Sequence, residues 1–221
     1  MFLVIEGNDA AGKATQSGLL AKRLMRCGYE VGQFSFPQYS TPVGAAILRH
    51  LKGLIYLTDE RPGVELLHAL GHAPEDSMAF QGLMLLDKCE AAPLIRDHLA
   101  VGNFVVSDRW WLSALAYGVA DGLKADWLRR IHSILPQGDL NIFLDLEPEI
   151  ALQRRPKLRD RYELDREKQV LVRKNYHEIW DAGDDPLKWV KVDASPPEDV
   201  VHESIWQAAL AAGMQKFMKN G

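Results

Sequence analysis

The stretch that most restricts how this chain can fold is EGNDAAGKATQ, residues 6–16. Gly7, Gly12 and Lys13 match the spacing G-x-x-x-x-G-K-[ST], a pattern that has meaning only when a strand enters it and a helix leaves it. The apolar run Phe2–Glu6 comes directly before the loop, and residues with helical spacing follow it. A glycine-containing turn is the simpler interpretation, but because the required setting is met, we predict a phosphate-binding loop.

Backbone geometry explains why such a loop binds phosphate. Glycines let the chain turn tightly so that successive N–H groups point inward, and the start of the helix adds partial positive charge. Lys13 would then reach the β- and γ-phosphates of a nucleoside triphosphate. Ala14 occupies the position where a hydroxyl usually meets Mg²⁺, and Thr15 lies about 100° further round the helix. Because Mg²⁺ keeps several waters, we expect Asp9 and Asp108 to bind it, directly or through water.

The pattern of apolar runs predicts the architecture. Five compact runs, most of them rich in Val, Ile or Phe, are interpreted as buried strands: Phe2–Glu6, Val31–Phe36, Phe104–Asp108, Asn141–Leu146 and Trp189–Asp193. Segments with helical spacing alternate with them: Gly12–Cys27, Ser77–Leu99, Asp165–Trp180 and Pro197–Ala212. This alternation predicts a single α/β domain over residues 1–221, with a five-stranded parallel sheet flanked by helices on both faces. Ligands of such sheets bind at the carboxyl ends of the strands.

Two of the predicted helices carry more specific expectations. The apolar repeat of Ser77–Leu99 is interrupted only at Pro93, and Asp76 or Ser77 is the expected N-cap. Asp165–Trp180 is highly charged, so it is expected to be a surface helix.

The composition narrows the class of protein. The 221 residues carry a net charge of −4, which argues against a broad nucleic-acid-binding surface. Cys27 and Cys89 lack CxxC spacing, so free thiols are favoured over a disulfide framework. The apolar run at the N-terminus is too short for a signal peptide, and no run is long enough to span a membrane. We therefore expect a cytoplasmic protein without a nucleic-acid or membrane partner.

A second chemical signal is VVSDRWWLSALAYG, residues 105–118. A buried strand ends here in Asp108, directly before Arg109. An acid at a strand end suits the water shell of a metal ion in phosphoryl transfer, and an arginine beside it can clamp a phosphate with two hydrogen bonds. A structural ion pair is the alternative interpretation, but a phosphate-binding loop in the same chain favours the catalytic one.

Together these segments resemble the thymidylate kinases, which are nucleoside monophosphate kinases of the P-loop class. The likeness covers almost the whole chain, and its motifs occur in the family's order. They are VIEGNDAAGKATQ at 4–16, FPQYSTPVG at 36–44, LMLLDKCEA at 83–91, SDRWWLSALAY at 107–117, LNIFLDLEPEIALQRR and DRYE at 140–155 and 160–163, and VDAS at 192–195. The resemblance implies the P-loop NTPase fold, ATP and a deoxynucleoside monophosphate as substrates, Mg²⁺ as the cofactor, and a homodimer.

The resemblance also implies a role for individual residues. It assigns the donor nucleotide to Gly7, Asn8, Ala10, Ala11, Gly12, Lys13, Ala14, Thr15 and Arg154. It assigns the acceptor nucleotide to Asp9, Phe36, Pro37, Tyr39, Met84, Lys88, Arg109, Ser113, Ala114, Tyr117, Tyr162 and Glu163. Within this second set, Arg109 would grip the acceptor phosphate and Tyr117 would pack near the deoxyribose. Ser113 would sit at the edge of the base, and Lys88 stands at a position where the family has arginine.

A cation-rich segment at 153–163 is the expected lid. Some relatives carry a catalytic arginine inside the phosphate loop, where this chain has Ala10 and Ala11. A solvated basic loop is the simpler interpretation, but a lid that closes over ATP would place arginine on the transferring phosphoryl group. The expected catalytic residues are Lys13, Asp9, Arg109, Arg155, Arg159 and Arg161. Residues 41–100 are the expected helical region on the acceptor side.

Several positions near the base depart from the family's pattern. Ala114 stands where the family usually has Ser, Thr or Asn, Gly118 replaces a frequent Gln, and Met84 lies near the place of a stacking aromatic ring. Rejection of a wrong base relies on buried polar groups that it leaves unpaired, so these departures leave the base less defined than the kinase chemistry. The expected acceptor is dTMP, giving dTDP and ADP. The alternatives are another or a modified deoxynucleoside monophosphate, or a non-catalytic nucleotide-binding protein.

Overall fold

A computed structural model describes residues 1–54, 74–154, 165–181 and 188–217. The strands are β1 (Phe2–Gly7), β2 (Val31–Ser35), β3 (Phe104–Asp108), β4 (Leu140–Asp145) and β5 (Trp189–Asp193). The helices are α1 (Lys13–Arg26), α2 (Pro42–Leu51), α3 (Pro74–Ala100), α4 (Trp111–Ala120), α5 (Ala125–His132), α6 (Pro148–Arg154), α7 (Arg166–Asp181) and α8 (Glu198–Ala211), and Met214–Lys216 forms a 3₁₀ turn. The predicted strands therefore agree with the structure to within one residue at each end.

The five strands form one parallel sheet in the order β2-β3-β1-β4-β5. Ile5 of β1 is in register with Asp108 of β3, and Ser35 of β2 is in register with the same aspartate. The carboxyl ends of three neighbouring strands therefore meet at one edge, and the chain turns away from each of them into a loop. This edge is where an open parallel sheet binds its ligands.

Alternate residues of β1 face two separate apolar layers. Leu3 and Ile5 are fully buried against α1 and α8, whereas Phe2 and Val4 are fully buried against α3, α4 and α5. A strand that is covered on both faces needs a continuous apolar run, which explains why Phe2–Ile5 contains no polar residue. The predicted P-loop NTPase architecture, a parallel sheet with helices on both faces, is confirmed.

Helix α3 begins earlier than its sequence predicts. The helix starts at Pro74, so Asp76 and Ser77 lie buried in its first turn, and the predicted N-cap at one of them is wrong. Proline is favoured at a first helical position because its fixed φ suits the helix and its missing N–H is not needed there. Asp76 instead lies 3.6 Å from Nε2 of His50 on α2. The helix continues through Pro93 because Ala92 and Ile95 on either side are packed against the sheet.

Helix α7 is not the simple surface helix that its charge suggested. It buries Gln169, Val172, Asn175 and Tyr176 on one face, and the amide of Asn175 donates to the carbonyl of Ala116 on α4 at 2.8 Å. Residues spaced by three, four and seven positions share a helix face, so this polar stripe points inward together. In the part of the chain that the structure describes, no helix is long and apolar enough to cross a membrane.

Candidate functional site

The phosphate loop, residues 7–13, turns sharply between β1 and α1. Gly7, Ala10 and Gly12 have φ values of 149°, 60° and 90°. Residues other than glycine adopt positive φ only at an energetic cost. A Cβ on Gly7 would lie 2.6 Å from the carbonyl oxygen of Leu144 on β4, so the loop can approach the sheet only with glycine there. Of the three residues, Ala10 alone bears this cost, and the turn directs the backbone of the loop toward the sheet edge.

Lys13 begins α1 and is almost completely buried. Its ammonium donates to the carbonyl of Asn8 at 2.6 Å, and the amide of Asn8 donates to the carbonyl of Leu146 at 3.0 Å. Burial, together with the nearby charge of Arg109, lowers the pKa of Lys13 to about 8, although Asp9, Asp108 and Glu6 act in the opposite direction. Ala14 and Thr15, in contrast, are exposed on the outer face of the helix.

Arg109 connects the phosphate loop to the end of β3. Its Nη1 donates to the carbonyl of Gly7 at 3.1 Å, and its Nη2 lies 2.5 Å from a carboxylate oxygen of Asp9. The other oxygen of Asp9 accepts hydrogen bonds from Tyr117 at 2.9 Å and from Gln169 at 2.8 Å. Burial alone would raise the pKa of Asp9, but Arg109, Lys13 and these two hydrogen bonds hold it below its usual range. Both oxygens of this carboxylate are therefore occupied by protein groups.

The backbone of Arg109 is also unusual. It adopts φ of 65°, which costs on the order of 1–3 kcal/mol for a residue with a side chain. Its N–H donates to the carbonyl of Ile5 at 2.9 Å, and its carbonyl accepts from the hydroxyl of Ser107 at 2.6 Å. These bonds fix a conformation that turns the guanidinium back over the phosphate loop.

A buried hydrogen-bond network lies beneath this arginine. The carboxylate of Glu6 accepts from the hydroxyl of Ser113, from the hydroxyl of Tyr176 at 2.9 Å and from the backbone N–H of Trp110 at 2.9 Å. Ser113 also accepts a bond from Nη1 of Arg109 at 3.1 Å. The hydroxyl of Ser113 is thus occupied below the arginine, which it helps to position. The role of Ser113 at the base edge stays a prediction.

Sequence reasoning missed two members of this cluster, both on α7. Gln169 contacts Asp9 through its amide and accepts from the N–H of Asp9 at 3.3 Å, and Tyr176 closes the network around Glu6. Arg173 of the same helix bonds Asp145 at the end of β4 at 2.7 Å. The buried spacing of 169, 172, 175 and 176 was the available signal, since polar groups on an apolar stripe usually have partners.

The predicted acceptor residues line a wall formed by α3 and the loop after β2. Lys88 is fully buried, donates to the carbonyl of Met84 at 2.9 Å and lies 5.9 Å from the ring centre of Phe36. Burial lowers the pKa of Lys88 to about 8, although Asp87 and Glu6 raise it. Pro37 follows Phe36 through a cis peptide, and Tyr39 at the end of this loop is exposed. The ammonium is thus held at one wall of the cleft.

Helix α4 forms the facing wall, where the two unusual positions lie. Ala114 is buried, and Gly118 one turn later is closely packed, since a Cβ there would lie 2.7 Å from Cδ1 of Leu128 and would require that side chain to shift. Tyr117 packs in the same apolar cluster as Met84, with α2 forming the outer side. The structure therefore brings Phe36, Met84, Lys88, Ala114 and Tyr117 to one cleft next to Arg109.

The candidate metal-binding acids differ in their availability. Asp108 is buried at the end of β3, where one oxygen accepts from the hydroxyl of Ser35 at 3.3 Å. Its second oxygen has no hydrogen-bond partner among the described residues, whereas both oxygens of Asp9 are engaged. No group of three or more metal-ligating side chains occurs within the described ranges. A hard, unpaired carboxylate oxygen suits Mg²⁺ or one of its waters.

The predicted lid lies largely outside the described residues. Arg155, Arg159, Arg161, Tyr162 and Glu163 fall in the segment 155–164, for which no structure is described. Arg154, at the end of α6, donates to the carbonyl of Ser195 at 2.9 Å. That contact places its guanidinium at the loop after β5, which is the VDAS segment.

Comparison with known proteins agrees with this geometry. Residues 5–205 match the family model described as thymidylate kinase. The thymidylate kinase of Thermomicrobium roseum is 34% identical over 228 residues, covering 100% of this chain and 97% of that protein. The thymidylate kinase of Homo sapiens is 30% identical over 205 residues, covering 92% of this chain and 87% of that protein.

A solved structure shows the same fold. The thymidylate kinase of Candida albicans superposes with a TM-score of 0.73 at 26% identity, over 99% of this chain and 93% of that one. Its description attributes to that enzyme a broad substrate specificity and a novel structural element. The family match, the relatives and the phosphate loop at the sheet edge lead to one conclusion: this chain belongs to the thymidylate kinase family, and it is a nucleotide-binding kinase.

Proposed function

We propose that the enzyme transfers the γ-phosphoryl group of ATP to dTMP, giving dTDP and ADP. The observation that carries the proposal is the double contact of Arg109 with the carbonyl of Gly7 and the carboxylate of Asp9. This contact fixes the group that would grip the acceptor phosphate against the loop that would hold the donor phosphates. Phosphoryl transfer needs its two substrates aligned and their charge neutralised, and it needs no covalent intermediate.

Each group in the cluster has a distinct task in this proposal. Lys13 neutralises the donor phosphates from the start of α1, and Arg109 does the same for the acceptor phosphate. Asp9 and Tyr117 hold the arginine in place and present a hydroxyl next to the sugar. Because the site is largely buried, charges act more strongly there than in water, and their positions are fixed before the reaction begins.

Asp108 is the residue that best fits a contact with Mg²⁺. Its unpaired oxygen is a hard ligand at the strand end, whereas the oxygens of Asp9 already bind Arg109, Tyr117 and Gln169. When bound, the ion would supply charge neutralisation on the β- and γ-phosphates. Ala14 offers no hydroxyl for this role, so we propose control of the metal from the acid at the end of β3.

The lid arginines are proposed to complete the donor side. The phosphate loop carries Ala10 and Ala11 and supplies no guanidinium of its own. We propose Arg155, Arg159 and Arg161 for the transferring phosphoryl group, and Arg154 for the donor nucleotide. The contact of Arg154 with Ser195 supports its position on the ATP side.

The quaternary structure and the cellular context are also proposed. The exposed apolar side chains of α3, Met78, Leu86 and Leu94, support the homodimer that the family resemblance implies, since such side chains are normally covered. We propose a cytoplasmic enzyme that acts on free nucleotides. The net charge of −4 offers no general attraction for nucleic acid.

A second candidate function is a wider choice of acceptor. Ala114 and Gly118 offer no side-chain hydrogen bond to a base at α4, and a site with fewer polar contacts rejects fewer substrates. The enzyme would then also phosphorylate another or a modified pyrimidine deoxynucleotide at a comparable rate.

An ATP-coupled assay across dTMP, dUMP, dCMP, dAMP and dGMP tests both functions. We expect the highest kcat/KM for dTMP, with dUMP next, because the side chains around Tyr117 are apolar. Rapid turnover of another nucleotide without turnover of dTMP would overturn the proposed acceptor. No turnover of any of the five nucleotides would overturn both proposed functions.

The pH dependence of catalysis follows from Lys13. Because its pKa in the free enzyme is about 8, the ammonium loses its proton above this pH, and kcat/KM for ATP should fall about tenfold per pH unit. The measurement uses saturating dTMP, so that the titration of Lys88 does not enter. Arginine stays charged throughout this range. Lys13→Arg should therefore have a lower kcat/KM than the wild type, and this value should not change with pH between about pH 7.5 and about pH 10, within the error of the assay. The same falling limb in that variant would assign the titration to another group.

A further inference from the structure

Gln81 on α3 is a buried polar residue that the reaction described above does not use. Its side chain is 1% exposed, and its Oε1 has no hydrogen-bond partner within the described part of the chain. A buried amide oxygen without a partner is costly, and in native proteins such an atom calls for an explanation. A ligand that supplies a donor would provide one.

The position of Gln81 on α3 points toward the acceptor cleft. Met84 and Lys88 follow it by three and seven residues, a spacing that places all three on one face of the helix. Met84 packs in the cluster that contains Tyr117, and Lys88 lies near Phe36. Gln81 therefore extends the wall of the cleft by one helical turn.

The facing helix carries no side chain opposite this amide, because residue 118 is glycine. An ideal Cβ on Gly118 would lie 3.4 Å from Nε2 of Gln81 and 2.7 Å from Cδ1 of Leu128. The side chains of Leu128 and Gln81 therefore occupy the space next to Gly118, and Ala114 one turn earlier carries no polar group. The family resemblance places hydrogen-bonding residues at these two positions of α4. Gln81 brings an amide next to Gly118 from the opposite helix, α3.

We propose that Gln81 determines specificity for the acceptor base, by accepting a hydrogen bond from N3–H of thymine at its Oε1. The proposal rests on the proposed function, since it needs a pyrimidine in this cleft. Thymine presents an N–H between two keto oxygens, and this edge needs an acceptor flanked by a donor. The amide of Gln81 supplies the acceptor, and the ammonium of Lys88, two turns along the same helix face, supplies a donor for a keto oxygen.

The decisive test combines variants of Gln81 with two substrates, dTMP and N3-methyl-dTMP, which differ only at N3 of the base. Gln81→Met keeps the length of the side chain but removes the acceptor, so kcat/KM for dTMP should fall roughly tenfold or more, mainly through KM. Gln81→Ala opens space at the same point. It should lower kcat/KM for dTMP and raise it for N3-methyl-dTMP, changing the ratio of the two by about a hundredfold. If Gln81 had a purely structural role, its replacement would lower kcat/KM for both substrates equally.

Controls separate the possible outcomes. Gln137→Ala, a glutamine in the loop before β4 that bonds its own segment at Leu135, should leave the ratio unchanged. Thermal unfolding is measured for each variant, and if Gln81→Ala does not fold, Gln81→Met still tests the lost acceptor. If the wild type phosphorylates dTMP but the ratio of kcat/KM for dTMP to that for N3-methyl-dTMP is unchanged in both Gln81 variants, this inference alone is overturned. A wild type that is inactive on dTMP overturns the proposed function instead.

Discussion

Replacing Lys13 by methionine should lower kcat by about 10³-fold, because it removes a fixed charge from the position where the transferring phosphoryl group gains negative charge. Methionine has nearly the length of the lysine stem, and in the free protein the ammonium makes one hydrogen bond, to the carbonyl of Asn8, beside its attraction to Asp9, Asp108 and Glu6. The fold should therefore survive the change. Steady-state kinetics with ATP and dTMP, together with thermal unfolding, measures both effects.

Lys22→Met is the matched control for this variant. Lys22 lies on the same helix but is exposed, so its replacement should leave kcat and KM unchanged. Binding of ATP to Lys13→Met should weaken less than kcat falls, since the backbone N–H groups of the loop still hold the phosphates. Phosphoryl transfer at the wild-type rate in Lys13→Met would remove Lys13 from the catalytic residues.

The fold was predictable from the sequence because its signals are local. Each strand is a short apolar run, and the glycines at 7 and 12 mark a turn whose backbone conformation favours glycine. The parallel alternation then leaves few topologies, and the position of the site at the strand ends follows from it. Helix α3 begins earlier than predicted because proline is favoured at a first helical position. This preference concerns a single residue, so the apolar pattern of the helix does not reveal it.

The support of the site was not predictable, because it depends on contacts between distant segments. Glu6 and Tyr176 are separated by 170 positions, and Asp9 and Gln169 by 160. The sequence of a charged helix such as α7 indicates clearly which face meets solvent. The partners of its few buried polar groups, in contrast, depend on how the helix packs against the rest of the protein. The bonds of Ser113 to Glu6 and Arg109 were likewise hidden from the motif, since they depend on how β1 and α4 pack together.

The pair of Asp9 and Arg109 shows why these supports matter. Burial disfavours the charged form of each group, and the opposite charge of its partner favours it. Burial alone would lower the pKa of Arg109, but Tyr117 and Asp9 outweigh this effect and raise it, while the pKa of Asp9 is held low. Both groups therefore stay charged throughout the pH range in which the enzyme is assayed. Removing one member leaves the other charged in a site with little water.

Arg109→Met should consequently be the most damaging substitution in this protein. Leaving a fully buried charge without its partner costs about 3–5 kcal/mol in the free energy of unfolding, and Asp9, 22% exposed, should lose less than this. The loss of a charged clamp on the acceptor phosphate should also lower kcat/KM for dTMP by about 10²–10⁴-fold. Denaturant unfolding and kinetics on the remaining folded enzyme measure the two effects separately. Arg130→Met, at an exposed position of α5, should change neither.

A double-mutant cycle with Asp9→Asn decides whether the pair acts as a unit. If the cost of Arg109→Met is mainly the stranded carboxylate, adding Asp9→Asn should restore about 1–3 kcal/mol of the lost stability, because the neutral amide needs no counter-charge. The same addition should restore no activity, since the acceptor phosphate still lacks its cation. Strictly additive free energies would show instead that Tyr117 and Gln169 suffice to hold Asp9. The arginine would then serve catalysis alone, and its position over the phosphate loop would owe nothing to the ion pair.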